Sequence, residues 1–315
     1  MIRSISLGIA VVSALCFGFS GPMAKFLGAA GLSPLESVWV RMVGAGLVLV
    51  VILAVVRPGA LRVPRDRLGF FAAYAVIAVA GVQALFFLAL TRLPVGVTLL
   101  IEYTAPVLVV LWVRFIRRVR LPRTAYLGAL VAVIGLGVVV EVWQGLRLDA
   151  LGLVLALLAS ACCAGYFLMS DNLHVDPLGL VAWGMIGAAV VLVPLSQPWG
   201  IDWAAFGGNA TVSDVTLPVA GALAWLIVVA TVIAYVAGVT AVRRLSAAVG
   251  ATVASLEVIS AALLAWILLD EHLGVAQIAG GAVVLSGALL AQTATAARQE
   301  AAPMGEPVLT GVQGR

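Results

Sequence analysis

Ten apolar runs follow one another along the chain, and short polar stretches separate them. The runs lie near residues 5–24, 34–56, 68–90, 94–114, 122–140, 150–170, 177–195, 217–240, 246–269 and 273–293. Each is about as long as a helix that crosses the hydrocarbon core of a bilayer, which needs about 20 residues. The runs are continuous rather than alternating, so they predict spanning helices and not the strands of a lipid-facing barrel. The pattern predicts an all-α integral membrane protein with ten transmembrane helices.

The composition supports a lipid environment for most of the chain. Of the 315 residues, 63% are hydrophobic and 10% are charged, whereas soluble domains average about 45–50% apolar and about 25% charged residues. The mean hydropathy is +1.18. These values exclude a large soluble catalytic domain, a disordered protein and a disulfide scaffold. The three cysteines, Cys16, Cys162 and Cys163, lie inside apolar runs, where we expect them to act as small packing residues.

Basic residues indicate the orientation of the helices, because Lys and Arg are enriched in cytoplasmic loops. With a cytoplasmic N-terminus, only Lys25, Arg92 and Arg147 fall on the outer side. The inner side then holds Arg3, Arg57, Arg62, Arg65, Arg67, Arg114, Arg117, Arg118, Arg120, Arg123, Arg243, Arg244, Arg298 and Arg315. We expect a multi-pass protein of the inner (plasma) membrane with both termini in the cytoplasm. The net charge of +4 then reports topology and contact with anionic lipid. Nucleic acid is not an expected partner, because no folded basic domain presents these arginines.

The chain contains an internal repeat. A shift of 152 residues places Arg92-Leu93 on Arg244-Leu245, and it places Gly128 on Gly280 and Gly135 on Gly287. A shift of 143 residues places Pro34-Leu35 on Pro177-Leu178. Each half holds five predicted helices, and because five is odd the second half starts on the opposite side of the membrane. Inverted repeats of this kind are a recurrent design of secondary transporters.

The repeat divides the chain into three predicted parts. Residues 1–145 form the first five-helix repeat and residues 146–294 form the second. Residues 295–315 are polar and contain Pro and Gly, so they are expected to be a disordered cytoplasmic tail.

A few polar residues interrupt the apolar runs and mark the candidate site. Arg41, Glu102 and Glu257 are charged, and Gln83 is a polar companion. A charged side chain at the bilayer centre costs about 2.5–3.5 kcal/mol on insertion scales, so such residues usually serve function. We expect Glu102 to bind the amino group of an amino-acid-like substrate, or a proton exchanged for it, with Arg41 nearby. The alternative is a buried ion pair or a protonated carboxyl group that locks the helices together.

The fourth predicted helix carries a polar stripe. Thr98, Glu102 and Pro106 follow one another at intervals of one turn. Proline has no N–H group, so Pro106 leaves the carbonyl of Glu102 without its helical partner and favours a kink. Irregular backbone is tolerated in transporters where it lines a cavity. The alternative is a kink that serves packing alone.

Aromatic residues in the same runs could provide an apolar wall for a substrate-sized cavity. The candidates are Tyr103, Tyr235, Phe17, Tyr166, Trp183 and Trp266. Each could instead pack in the core or face lipid.

Motifs for catalysis and for metal or cofactor binding are missing from the sequence. His174 and His272 lie in predicted loops without a cysteine or acidic cluster at metal-ligand spacing. Nucleotide-binding and hydrolase motifs are also missing. We therefore expect no enzymatic activity, no metal and no cofactor. Uphill transport would then draw on a gradient, and protons are a candidate partner.

Several local stretches resemble a known family. They are Arg41, the stretch Leu88-Ala89-Leu90-Thr91-Arg92-Leu93, and Leu268-Leu269-Asp270-Glu271-His272-Leu273. Together with the two five-helix halves, they make the chain similar to the drug/metabolite transporter superfamily with two EamA-type repeats. Residues 94–106 are similar to its threonine/homoserine exporter branch. The chain departs from the family pattern at Arg114, Arg117 and Arg118, where an acidic helix end is expected, and at Val258, where proline is expected.

This resemblance implies a ten-helix exporter of small metabolites, with amino acids or related amphipathic solutes as the leading class. The substrate-binding residues are then expected to be Glu102, Arg41, Glu257, Thr98, Tyr103, Pro106, Gln83 and Tyr235. Transport is expected to proceed by alternating access around a central cavity. The alternatives are an exporter of drugs or cationic amines and, in a different class, a membrane scaffold or sensor without flux. The oligomeric state stays open.

Overall fold

The computed structural model describes residues 2–141, 148–170, 175–244 and 255–301, and most of these residues are helical. The first-half helices are α1 (Ile2–Gly18), α2 (Ser20–Ala29), α3 (Pro34–Val56), α4 (Leu68–Ala73), α5 (Val82–Leu90), α6 (Val95–Glu102), α7 (Ala105–Phe115) and α8 (Arg123–Val139). The second-half helices are α9 (Ala150–Ser170), α10 (Pro177–Ser196), α11 (Val219–Ile227), α12 (Ala234–Arg244), α13 (Leu256–Leu269) and α14 (Val275–Ala301). Two π-helical segments, Tyr74–Gly81 and Val228–Ile233, join α4 to α5 and α11 to α12.

Eight helical stretches in the described ranges are long and apolar enough to cross a membrane. They are Ile5–Ala29, Pro34–Val56, Arg65–Leu90, Val95–Phe115, Ala150–Met169, Pro177–Ser196, Val219–Ala241 and Val275–Ala294. The fifth and ninth predicted runs contain shorter apolar helices, α8 and α13. Residues 246–254 of the ninth predicted run lie outside the described residues, as do Arg147 and His174.

Helices α3 and α10 begin in a similar way, although they lie in different halves. Ser33 caps α3 in a capping box with Glu36, and Asp176 caps α10 through the N–H groups of Leu178 and Gly179. A proline follows each cap, where its fixed backbone angle suits the first helical turn. Arg57 Nη2 lies 3.0 Å from Asp176 Oδ2 and ties the end of α3 to the start of α10. The two helices therefore run antiparallel along their contact.

Helices α8 and α14 also pack antiparallel, and glycines let their backbones touch. Gly128 lies against the backbone of Gly287, and Gly135 lies against that of Gly280. These are the same glycines that the shift of 152 residues superimposes. Small residues at a helix crossing permit this close approach in membranes. We call this contact the glycine seam.

The loop between α10 and α11 contains a β-hairpin that the sequence pattern did not predict. Strands β1 (Asn209–Val212) and β2 (Val215–Pro218) pair antiparallel, with Val212 opposite Val215. The Ser213 hydroxyl in the turn donates to the carbonyl of Leu269, at the end of α13. We call this end of the bundle the hairpin end. The opposite end, which carries residues 57–67 and 114–123, is the arginine-rich end.

At the hairpin end, Asp149 caps the first turn of α9. Its carboxylate accepts a hydrogen bond from the N–H of Gly152 and lies 3.1 Å from Arg92 Nη1. The Gly152 N–H, and then Arg92, hold the pKa of Asp149 below its ordinary value.

At the other terminus, helix α14 continues to Ala301, into the predicted disordered tail. Regular hydrogen bonding therefore extends past the last apolar residue of the tenth run. The remainder of that predicted tail, residues 302–315, lies outside the described residues.

Candidate functional site

A central cavity of about 410 Å³ lies between helices of both halves. Its size falls in the range of small-molecule sites, roughly 300–1,000 Å³. Seven of the eight predicted site residues line it: Arg41, Gln83, Glu102, Tyr103, Pro106, Tyr235 and Glu257. The eighth, Thr98, is fully buried elsewhere, and its hydroxyl donates to the carbonyl of Pro94.

Arg41 is 1% exposed, and neutral polar groups hold its guanidinium. Nη1 donates to Gln83 Oε1 at 2.6 Å and to Ser20 Oγ at 2.8 Å. Nε donates to Thr231 Oγ1 at 2.8 Å, and Nη2 lies 3.4 Å from the Ala230 carbonyl oxygen. The group also lies 5.6 Å from the ring centroid of Phe87, a cation–π distance. These contacts fix a positive charge beside the cavity.

The π-helical segment Val228–Ile233 supplies part of this cradle. The Thr231 hydroxyl donates to the carbonyl of Leu226, five residues earlier, and its oxygen still accepts from Arg41. The other π-helical segment, Tyr74–Gly81, places Tyr74 and Ala78 in the cavity wall. The shift of 152 residues that relates the halves places Gly81 on Ile233, the last residues of the two segments. Short π-helical turns are frequent at functional sites.

The two partly buried carboxyl groups lie at helix ends. Glu257 is in the first turn of α13, where the helix dipole favours a negative charge, and it accepts a hydrogen bond from the Tyr103 hydroxyl at 3.1 Å. Glu102 is the last residue of α6, and the Cys163 side chain is its hydrogen-bonding neighbour. Among the described residues, Arg41 lies within 4 Å of neither carboxylate. The guanidinium and the two carboxyl groups therefore face the same cavity without forming an ion pair.

The fourth span breaks where the proline predicted irregular backbone. Helix α6 ends at Glu102 and α7 begins at Ala105, with Pro106 in its first turn. The Thr104 hydroxyl donates to the Ile101 carbonyl and lies 3.0 Å from Ser160 Oγ, which anchors the break to α9. The break presents Glu102 and Tyr103 to the cavity.

Aromatic side chains form much of the remaining wall. Phe17, Tyr166 and Tyr235 line the cavity, and the rings of Phe17 and Tyr235 meet edge to face at 4.9 Å. Tyr74, Phe86 and Phe167 join them, which the sequence did not single out. Trp183 and Trp266 lie elsewhere, since Trp183 Nε1 donates to the Leu61 carbonyl and Trp266 is 53% exposed.

The cavity extends toward the arginine-rich end. Its lining there includes Ala10, Pro177, Ala241 and Gln292. These residues lie near the ends of α1, α10, α12 and α14 at that end of the bundle.

At the hairpin end, an ion pair joins the two halves. Lys25 Nζ lies 3.3 Å from Glu271 Oε1 and 3.4 Å from the Leu93 carbonyl oxygen. Glu271 also accepts from the N–H of Val95 at 2.7 Å. In the same turn, the side chains of Asp270 and His272 are exposed and form a hydrogen bond with each other. Glu271 therefore links the turn after α13 to α2 and to the start of α6.

Sequence reasoning missed Ser20, Thr231 and Cys163. Hydroxyl groups in apolar helices usually bond to a carbonyl of their own helix, so Ser20 and Thr231 gave no separate signal. Cys163 was expected only to pack, but it lines the cavity beside Glu102. Within the described ranges, no group of three His, Cys, Asp or Glu residues could hold a metal ion.

The chain is similar to known proteins in sequence and in fold. The sequence model of the EamA-like transporter family matches residues 4–141 and 150–293. The threonine/homoserine exporter RhtA of Salmonella typhimurium, strains SL1344 and LT2, is 27% identical over 241 residues, which is 76% of each chain. A solved crystal structure, described only as that of a protein, superposes with a TM-score of 0.63 at 19% identity. It covers 95% of this chain and 99% of its own, and this likeness concerns the fold alone.

Proposed function

The chain belongs to the EamA-like transporter family, and from this premise we propose that it exports amino acids or related zwitterionic solutes. As a member, it is a multi-pass membrane protein with two EamA repeats and a small-molecule substrate. The related exporters are transporters and not enzymes.

The proposed architecture has ten spans in two inverted repeats, residues 1–145 and 146–294. The antiparallel packing of α3 on α10 and of α8 on α14 supports inversion, because each pair contains corresponding helices of the two halves. The excess of arginine at one end supports an inner-membrane location with that end in the cytoplasm. The cavity would then be open to the cytoplasm and closed to the outside.

The carrying observation is that one guanidinium and two carboxyl groups face one cavity. Arginine has five N–H donors, and the four protein contacts of Arg41 leave one for a substrate carboxylate. Glu102 and Glu257 provide acceptors for an ammonium group. A zwitterion offers a carboxylate to the guanidinium and an ammonium group to the carboxyl groups at once, which an uncharged solute does not. The aromatic wall suits the apolar part of an amphipathic solute.

Alternating access is the proposed mechanism. In the state seen here, the Lys25–Glu271 contact holds the hairpin end together while the cavity reaches the other end. Export requires the reverse arrangement, in which this contact opens and the arginine-rich end closes. Coupling to protons through Glu102 or Glu257 is part of the proposal.

One observation favours a second candidate, an exporter of cationic amines or drugs. The cavity has two carboxyl groups and one guanidinium, so a cation without a carboxylate could also be held. A membrane scaffold or sensor without flux is the remaining outcome.

The test is solute flux in proteoliposomes, with and without an imposed pH gradient. The panel contains radiolabelled amino acids, including threonine and homoserine, and an aliphatic amine of similar size. Wild type is compared with Arg41→Gln, Glu102→Gln and Glu257→Gln, and Glu141→Gln is the matched control because Glu141 does not line the cavity. Thermal unfolding of each purified variant checks that it folds.

We expect saturable amino-acid flux that falls at least tenfold in the three cavity variants and stays unchanged in the control. Amine flux that survives Arg41→Gln but not Glu102→Gln would favour the second candidate. If no solute moves, the scaffold or sensor alternative replaces both. If Glu102→Gln and Glu257→Gln both keep a response to the pH gradient, proton coupling through these groups is wrong.

A further inference from the structure

Five arginines are concentrated between the last turn of α7 and the first residue of α8. Residues 114–123, which we call the basic segment, contain Arg114, Arg117, Arg118, Arg120 and Arg123. Four of these side chains are exposed, and Arg114 is partly buried. The segment therefore presents a dense positive surface at the arginine-rich end.

No acidic side chain of the described structure pairs with this positive surface. The sequence has no Asp or Glu between Glu102 and Glu141, and among the described residues none of the five arginines forms an ion pair. The other arginine-rich linker, residues 57–67, differs in this respect. There Arg57 pairs with Asp176 and Arg67 pairs with Asp66. Within the described ranges, the charge of the basic segment is therefore not neutralised by an ion pair.

Apolar side chains place the basic segment at the membrane surface. In the last turn of α7 and just after it, Trp112 is 47% exposed, Phe115 is 68% exposed and Ile116 is 61% exposed. Exposed apolar side chains on a membrane helix face lipid, and tryptophan is enriched where hydrocarbon meets headgroups. The arginines that follow immediately are thus at headgroup depth.

The backbone at Arg118 does not by itself favour an arginine. Its φ is +55°, and the N–H of Val119 bonds to the carbonyl of Val113 just past the end of α7. Glycine is the usual residue at such a position, because it has no Cβ penalty there. Glycine would therefore suit the backbone at 118 at least as well as the arginine does.

We propose that the basic segment binds the phosphate of anionic phospholipid headgroups. The planar guanidinium matches phosphate through two parallel hydrogen bonds, and neighbouring arginines add to the attraction of an anionic surface. Trp112, Phe115 and Ile116 contact the acyl chains of the same lipid. Binding fixes the end of α7, the helix that carries Pro106 of the cavity wall. The inference does not rest on which solute is transported.

The experiment counts lipids that the full-length, detergent-purified protein retains in native mass spectrometry. Phosphatidylglycerol and phosphatidylcholine are titrated separately, and phosphatidylglycerol is also titrated in excess inorganic phosphate. The test variant combines Arg117→Gln, Arg118→Gln and Arg120→Gln. The matched control combines Arg62→Gln, Arg65→Gln and Arg67→Gln, which removes the same charge from the other linker at the same end.

We expect wild type to bind phosphatidylglycerol more tightly than phosphatidylcholine. Each arginine near an anionic surface contributes about fivefold to affinity, so the loss of three should weaken phosphatidylglycerol binding about 100-fold. The control should change affinity less than about threefold. Equal losses in both variants, or no loss in the test variant, would overturn the proposal. Displacement of the lipid by inorganic phosphate would also overturn it, because the segment would then be a free-anion site.

Arg118→Gly separates lipid binding from folding. Glycine suits the φ of +55° at this position, so the thermal unfolding midpoint should be unchanged or higher. Affinity for phosphatidylglycerol should still fall about fivefold. Unchanged affinity in Arg118→Gly would show that this side chain takes no part in the site.

Discussion

At the scale of single residues, the buried charges were predictable and their partners were not. The cost of placing Arg41, Glu102 and Glu257 in an apolar run marks them in the sequence. Their neighbours come from distant helices, so that Ser20 and Thr231 are identified only when the chain is folded. Because the sequence does not show which helices touch, an ion pair of Arg41 with Glu102 was an open alternative. The structure instead surrounds Arg41 with neutral acceptors.

Gln83 tests this arrangement, because its side-chain oxygen accepts the shortest hydrogen bond of Arg41, at 2.6 Å. Gln83→Leu leaves part of a buried cation without an acceptor, and we expect a loss of about 1–3 kcal/mol in stability. Gln83→Glu keeps an acceptor of the same shape, so its thermal unfolding midpoint should stay close to that of wild type. If both variants unfold at the wild-type midpoint, this hydrogen bond does not stabilise the fold.

At the scale of elements, hydrophobic runs predicted where helices lie, and proline predicted where the fourth span breaks. The hairpin and the two π-helical segments were not predictable, because each depends on contacts with other helices. Thr231 is an example. Its hydroxyl donates to the Leu226 carbonyl in the same span and accepts from Arg41 in α3, and the second contact exists only in the folded chain. For Thr98, the structure gives a position that differs from the one indicated by helical spacing. Helical spacing placed it with Glu102 and Pro106, but its side chain lies outside the cavity lining.

The glycine seam gives a prediction at this scale. A Cβ on Gly135 would lie 2.5 Å from the backbone nitrogen of Val284 in α14, and backbone atoms cannot turn aside as a side chain can. We expect Gly135→Ala to lower stability by about 1–3 kcal/mol through overpacking. Gly137→Ala on the same helix is the control, because nothing lies within 4 Å of its Cβ position. Equal thermal unfolding midpoints for the two variants would contradict the close approach.

At the scale of the whole molecule, the repeat was visible in the sequence, but the pairing of its helices was not. The shifts of 152 and 143 residues identify corresponding helices, and only the structure shows that α8 packs on α14 and α3 on α10. The end at which the cavity opens also depends on the fold. At the arginine-rich end, Pro177, Ala241 and Gln292 line the cavity. At the hairpin end, Lys25 and Glu271 form an ion pair.

The closure at the hairpin end can be tested with a native thiol. In a background of Cys16→Ser and Cys162→Ser, Cys163 is a reporter in the cavity wall. Glu271→Gln weakens the contacts to Lys25 and Val95. We then expect the rate at which an impermeant thiol reagent, added at the hairpin end, labels Cys163 to rise about fivefold. That factor corresponds to about 1 kcal/mol for a partly exposed ion pair.

Asp270→Asn is the control for this measurement, because Asp270 is exposed and, among the described residues, its side chain contacts only His272. Its labelling rate should match that of wild type. A Glu271→Gln rate no higher than the Asp270→Asn rate would mean that the ion pair does not hold this end closed.

The glycine seam also bears on how a protein of this kind could arise. Within one repeat, α8 already presents two glycines at the spacing that its counterpart α14 presents in return. A half-length chain with this helix would therefore recognise a copy of itself inserted in the opposite direction. Duplication and fusion of such a gene would keep the contact intact, and the only new part required would be a connecting loop.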